Sequence, residues 1–170
     1  MPFSDAQRFK YKDLARIAAE QFNEEQAYTD LTTAALQVCD GKIALISLHN
    51  GDKMWFRTRV GLEAQEIPKE KSFCECAMAA SNQVLMVEDA AADPRFADNP
   101  LVTGPLDIRF YVGAPMRLSS GQVLGNLCVL DTEPKKLASE ALELLDFLSK
   151  QVAQMLEKSG SWARPAVAAL

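Results

Sequence analysis

Histidine appears once in the 170 residues, as His49. That scarcity narrows the chemistry available, because a Ser/His/Asp or Cys/His site would have to be built around this one residue. His49 ends a strand pattern just before a turn, so it reads as an exposed side chain rather than a haem or metal ligand. A glycine-rich phosphate loop is also missing; Gly121 and Gly125 flank strand residues and read as turn and packing glycines. Basic residues are outnumbered, 18 Lys and Arg against 23 Asp and Glu, for a net charge of −5 and a pI near 5.0. They are scattered, with Lys135 and Lys136 the closest cluster, which argues against nucleic acid or anionic membrane as the main partner. No apolar run approaches the roughly 20 residues that span a bilayer. The N-terminus, MPFSDAQRFKYKDL, carries charges where a signal peptide needs an apolar stretch. The expected location is therefore the cytoplasm. Four cysteines (Cys39, Cys74, Cys76 and Cys128) are present, and without a secretion signal they are expected as reduced thiols. Repeats and low-complexity segments are absent.

What is present is an ordinary globular composition, 48% hydrophobic and 24% charged, in a chain long enough to bury a core as one domain. The expected domain runs over residues 1–158, followed by a loose tail over 159–170 with Gly160 and Pro165. Residues 4–22 read as a helix with Tyr11, Leu14, Ala18 and Phe22 on one stripe. A second helix runs from about Tyr28 to Cys39, ended by Asp40 and Gly41, with glycine as the left-handed cap. Lys42 to His49 is apolar on both faces and reads as a central strand. Asn50-Gly51 signals a hairpin leading into Met54 to Val60. On that strand alternation puts Trp55, Arg57 and Arg59 on one face and Met54, Phe56, Thr58 and Val60 on the other. Residues 62–72, with Pro68, read as a polar connection without a regular element. Ser72 caps a short helix, Phe73 to Ala80, with Glu75 completing a capping box.

The stretch 84–131 holds three apolar runs, Val84 to Val87, Ile108 to Met116 and Val123 to Leu130. These read as strands. Between the first two lies a long loop carrying Asp89, Asp93, Pro94, Arg95, Phe96 and Asn99. Its aromatic and proline content points to an ordered lid. Thr132, Glu133 and Pro134 read as the start of the last helix, which continues from Leu137 to Lys158. Ala141, Leu145, Leu148, Val152 and Met155 are spaced as a heptad seam. That seam serves either a partner helix or a single wide core face. Strands run together with helices at the ends, an α+β layer pattern.

Five pieces, ALISLHNGDKMWFRTRVGL (44–62), SFCECAM (72–78), LMVEDAAADPRFADNPLVTG (85–104), IRFYVGAPM (108–116) and GQVLGNLCVLDTEPKKL (121–137), resemble, in this order and spacing, the GAF domains of bacterial sensor kinases and cyclic-dinucleotide signalling proteins. The resemblance covers roughly residues 14–158. It implies a central antiparallel sheet of five or six strands with the terminal helices on one face. On the other face a short helix and a long loop roof a small-molecule pocket. It also implies a sensor rather than an enzyme, often a homodimer through its terminal helices. Bilin-binding members carry a Cys-His pair, but here Cys74 is followed by Glu75 and Cys76 by Ala77. The Asn-Lys…Phe…Asp-Glu pattern of the cyclic-nucleotide phosphodiesterase type is absent, and SFCECAM does not match the cysteine motif of the free-methionine-sulfoxide reductase type.

Candidate ligand-binding residues are Trp55, Phe73, Cys74, Asp93, Phe96, Phe110 and Tyr111, since aromatic walls with a few polar groups suit a small molecule. Phe110 and Tyr111 point to opposite faces, so at most one of them faces the pocket. Each aromatic also reads as plain core, and Asp93 before Pro94 also reads as a turn cap. Cys74 and Cys76 would point about 200° apart on a helix, badly placed to share a metal or pair, so no metal site is expected. Cys74 at a helix N-terminus is a candidate reactive thiol.

The expected function is a sensory domain that binds an unknown small molecule and passes the signal through a helix-mediated homodimer. A kinase or cyclase output partner is expected, as in two-component systems, because no such segment fits in the remaining residues. Neither the cofactor nor the ligand follows from the residues. Two other readings are a cysteine-dependent redox enzyme of the same fold and an interaction module whose pocket is filled by its own side chains.

Overall fold

A computed structural model describes residues 3–19, 23–73, 76–77, 83–160 and 162. Helix α1 (Asp5–Ala19) is followed by α2 (Glu24–Cys39). The second helix starts earlier than its apolar stripe suggests because the Asn23 side chain accepts from the Gln26 amide as an N-cap. At its other end Asp40, not Gly41, takes the left-handed conformation (φ 49°, ψ 47°). Asp tolerates this region better than most residues with a side chain.

Strands β1 (Ile43–Asn50) and β2 (Lys53–Val60) form the expected hairpin, turning through Gly51 and Asp52 with Gly51 at φ 63°. A bulge between Ile46 and Ser47 shifts the register, so Ser47 pairs with Phe56 and Ile46 with Thr58. The alternation of β2 therefore slips at Arg57. Thr58 and Val60 lie opposite helix-face residues of β1 and do not share a face with Phe56. Glu66–Pro68 forms a sixth strand, β3, at the sheet edge, correcting the expected irregular connection. Pro68 is tolerated because it ends an edge strand, where its missing N–H breaks no ladder.

The order across the sheet is β3-β2-β1-β6-β5-β4, with every pair antiparallel. Here β4 is Leu85–Val87, β5 Phe110–Arg117 and β6 Val123–Asp131. β1 is central and buried over six consecutive residues, as its two-sided apolar pattern requires. The loop between β4 and β5 is ordered by successive turns and one helical turn, α3 (Pro100–Thr103), capped by Asn99.

Helix α4 runs over Ser139–Ser159 and ends at Gly160 (φ 70°). It starts later than expected. Residues 132–138 are irregular, because Asp131 captures the Thr132 and Glu133 amides (2.6 and 3.2 Å) and Lys135 donates its amide to Glu88 O (3.1 Å). α4 lies across β5 and β6 against α1 and α2, and this layer closes one core. Ala141, Leu145, Leu148 and Val152 of the heptad seam are buried in that core, together with Leu144 and Leu156. The seam is thus a wide face of the chain's own core. Of the expected short helix at 73–80, Cys76 and Ala77 are helical, and Ala77 donates its amide to Phe73 O (3.2 Å). Residues 74–75 and 78–82 lie outside the described ones, as do 161 and 163–170 of the expected tail. Among the described residues no helix is long and apolar enough to cross a membrane.

Candidate functional site

The sheet has two apolar faces and therefore two cores. The second core lies on the face away from the helices. There Ile43 and Leu45 of β1, Met54 and Phe56 of β2, Tyr111 of β5, and Cys128 and Leu130 of β6 form a floor. Period-2 alternation selects these residues, each two positions from the next along its strand. Phe73, Ala90, Phe96 and Val102 come down on them as a roof. The roof is braced internally, Ala90 donating its amide to Arg109 O (2.5 Å) and Ile108 to Leu101 O (2.9 Å), and is tied to the sheet where Arg109 donates its amide to Asp131 O of β6 (2.9 Å).

Roof and floor do not close completely. A cavity with about 40 Å³ of free volume remains between them. Ile43, Leu45, Phe56, Tyr111, Cys128 and Leu130 form its base. Phe73, Leu101 and Ile108 cover it, and Leu62, Ala64, Ile67 and Leu106 surround its mouth. Tyr111 can lie along the floor because Gly113, two residues on and on the same face, has no side chain. A Cβ at Gly113 would collide with the Tyr111 hydroxyl. Phe73 meets Tyr111 edge-on (5.3 Å between centroids, 89°) and packs against Phe96 (4.5 Å, 54°).

The structure brings together only some of the residues singled out from the sequence. Phe73 and Tyr111 line the cavity, and Phe96 backs Phe73. Trp55 and Phe110 are buried in the helix-side core, on the opposite face of the sheet, and leave the candidate site. The expectation that at most one of Phe110 and Tyr111 faces the pocket holds. Asp93 is engaged elsewhere: its carboxylate accepts from the Arg95 amide (2.9 Å), Nε (3.1 Å) and Nη2 (2.7 Å). These bonds hold its carboxyl below the usual carboxylate range and make it a turn cap, with Arg95 in turn over the Phe96 ring (5.0 Å). Cys74 lies outside the described residues. His49 is half-buried at the end of β1 rather than exposed. The aliphatic lining, Ile43, Leu45 and Leu130 among it, is marked in the sequence only by the alternation of β1 and β6.

The six-stranded antiparallel sheet with helices on one face matches the fold of the GAF structures to which the chain is similar. The GAF domain model covers residues 23–156, and the chain belongs to the GAF domain family, in general small-molecule-binding domains of signalling and sensory proteins. Its sequence is 36% identical over 152 residues to a cyclic di-GMP phosphodiesterase of Pseudomonas aeruginosa; the match takes in 89% of this chain and spans 25% of that protein. Among solved structures, the GAF domain of an Acinetobacter phosphoenolpyruvate-protein phosphotransferase superposes with a TM-score of 0.78 at 13% identity, covering 96% of this chain and all of that one. A free methionine-R-sulfoxide reductase from Neisseria meningitidis, in complex with its substrate, superposes with a TM-score of 0.72 at 17% identity, covering 94% and 95%. At these identities the two structures share the fold. The expectation of a sensor rather than an enzyme is corrected here. The same fold carries reductase activity in the Neisseria protein, and the curated relative is named for a hydrolytic activity.

Proposed function

We propose that this chain is the sensing domain of a signalling protein whose output is phosphodiester hydrolysis of a cyclic dinucleotide, and that the cavity under the 88–109 roof is its ligand site. The observation that carries this reading is the cavity itself, an unfilled apolar space held open between two well-packed layers. Well-packed cores leave few such voids. The identity with the Pseudomonas phosphodiesterase supports the output, because the chain matches a quarter of that protein and leaves room there for other segments. Signal passes when the ligand favours one arrangement of the roof over another.

A connected route runs from roof to helices. Lys135 donates its amide to Glu88 O at the start of the roof, its ammonium pairs with Asp131 (2.7 Å), and the same ammonium donates to Asp40 O at the end of α2. Native mass spectrometry of the chain purified from cells tests the reading. The expected result is a retained small molecule that is lost when the cavity base is filled by Leu45→Phe; each protein appearing only at its own bare chain mass counts against it. The same spectrum reads the oligomeric state, which the buried α4 seam no longer argues to be a dimer.

A thiol-dependent activity is the second reading, favoured by one observation: Cys76 is exposed, whereas Cys39 and Cys128 are buried. Methionine-sulfoxide reduction unchanged by Cys76→Ser would remove Cys76 from it.

A further inference from the structure

Resting on the reading of the cavity as a ligand site, we infer that its ligand is an uncharged apolar molecule, aromatic or aliphatic, admitted past Leu106, and not a nucleotide. Among the described residues the lining carries no charged side chain. Its hydroxyls belong to Tyr111, which lies against Gly113, and to Ser72, which is already engaged in the protein. A phosphate placed there would lose its hydration without a charged or multiply donating partner, a cost that apolar contacts do not offset. An apolar cavity of this kind also excludes water, which needs two to four polar partners.

The mouth gives the second argument. Leu106 is 40% exposed although unfilled apolar volume lies beside it. It does not fall in because polar braces fix the backbone around it. Arg109 donates through Nη1 to Val102 O (3.1 Å) and Ile108 O (3.0 Å), and its Nη2 pairs with Asp107 Oδ1 (2.7 Å). Asp107 itself sits at φ 55°, so the chain turns sharply next to Leu106. Across the mouth stand Leu62 and Ala64, the latter small and exposed. An apolar ligand would enter between these residues and Leu106, with Leu101 beside them. Some expansion is required, since an apolar cavity of about 150 Å³ is what holds a benzene-sized guest.

The test is a methyl-resolved NMR titration of the full chain, with labelled leucines, using toluene, cyclic GMP and cyclic di-GMP as separate probes. Toluene is expected to shift the Leu45, Leu101 and Leu106 methyls saturably, while neither nucleotide does. Leu106→Trp and Ala64→Phe, both at exposed positions, are each expected to weaken toluene at least tenfold. Nucleotide-induced shifts of these methyls without a response to toluene would overturn the inference and leave the ligand site standing. Silence with all three probes would remove both. Toluene binding that neither mouth variant weakens would show that the apolar guest sits elsewhere and overturn the inference as well.

Discussion

Lys135 places its ammonium 2.7 Å from the carboxylate of Asp131, whose side chain is only 4% exposed. Burial alone would raise the Asp131 pKa. The Lys135 hydrogen bond and the amides of Glu133 and Thr132 outweigh it and leave the carboxyl below its usual value of 3.8. A carboxylate depressed in the folded state stabilises the fold above its unfolded pKa, and that contribution is lost as pH falls through the depressed value. Unfolding free energy should therefore decline as pH drops below about 4. Asp131→Asn should flatten that acid limb and cost about 2 kcal/mol at neutral pH, the scale of hydrogen bonds to a charged group. Urea unfolding of both proteins between acid and neutral pH measures both effects; an unchanged acid limb in the variant would assign the decline to other groups.

The thiols should divide by burial. Cys39 is sealed between α2 and the sheet, and burial pushes its thiol up to about 12. It stays protonated and poorly nucleophilic at neutral pH. Cys128 is equally buried, against Leu45 O. Alkylation followed by peptide mass mapping should label Cys76 in the native chain, and Cys39 and Cys128 only when it unfolds. Labelling of Cys39 at the rate of Cys76 would contradict the packing described for α2.

The α4 seam is a core face, so truncating it should cost folding energy without dissociating anything. Leu148, fully buried, faces the sheet and the other helices. Leu148→Ala should destabilise by about 2–5 kcal/mol, the usual range for such a cavity. The shift in denaturation midpoint should be the same at low and high protein concentration. A concentration-dependent shift would mean that the seam also holds two chains together.

Gly113 should be intolerant of a methyl group, although glycine is normally a poor strand residue. A Cβ there meets the Tyr111 hydroxyl, so Gly113→Ala forces Tyr111 up toward Phe73 and closes the cavity. Overpacking of this kind costs about 1–3 kcal/mol. Thermal unfolding should show the loss, whereas Gly121→Ala, in the exposed β5–β6 turn, should disturb the backbone without changing the Tyr111 environment seen by near-ultraviolet circular dichroism.

Much of this fold was legible in local pattern. The run Lys42–His49 announces a central strand because both of its faces are apolar, Ile108–Met116 announces a further strand, and Asn50-Gly51 announces the hairpin. Three features were not legible, each because a long-range contact overrides a local signal. Pro68 disfavours a strand locally, yet it sits at an edge where no donor is needed. The bulge at Ile46/Ser47 reverses the facing of Thr58 and Val60, which alternation alone assigns wrongly. The late start of α4 reflects Asp131, 3% exposed, drawing residues 132–135 into its own hydrogen bonds. For the site, aromatic content pointed to Phe73 and Tyr111, which line the cavity, and to Phe96, which packs behind Phe73. It also pointed to Trp55 and Phe110, which face the helices, because composition carries no facing information until register is known.

Whether filling the cavity moves the helix layer is read most directly by hydrogen exchange on the full chain, with and without a saturating cavity ligand (the molecule retained in native mass spectra, or toluene in its place). The route through Glu88, Lys135, Asp131 and Asp40 predicts that protection changes together in the roof, residues 88–109, and in α2 and α4. A response confined to the roof, with α2 and α4 exchanging as before, would contradict a sensing role for this cavity.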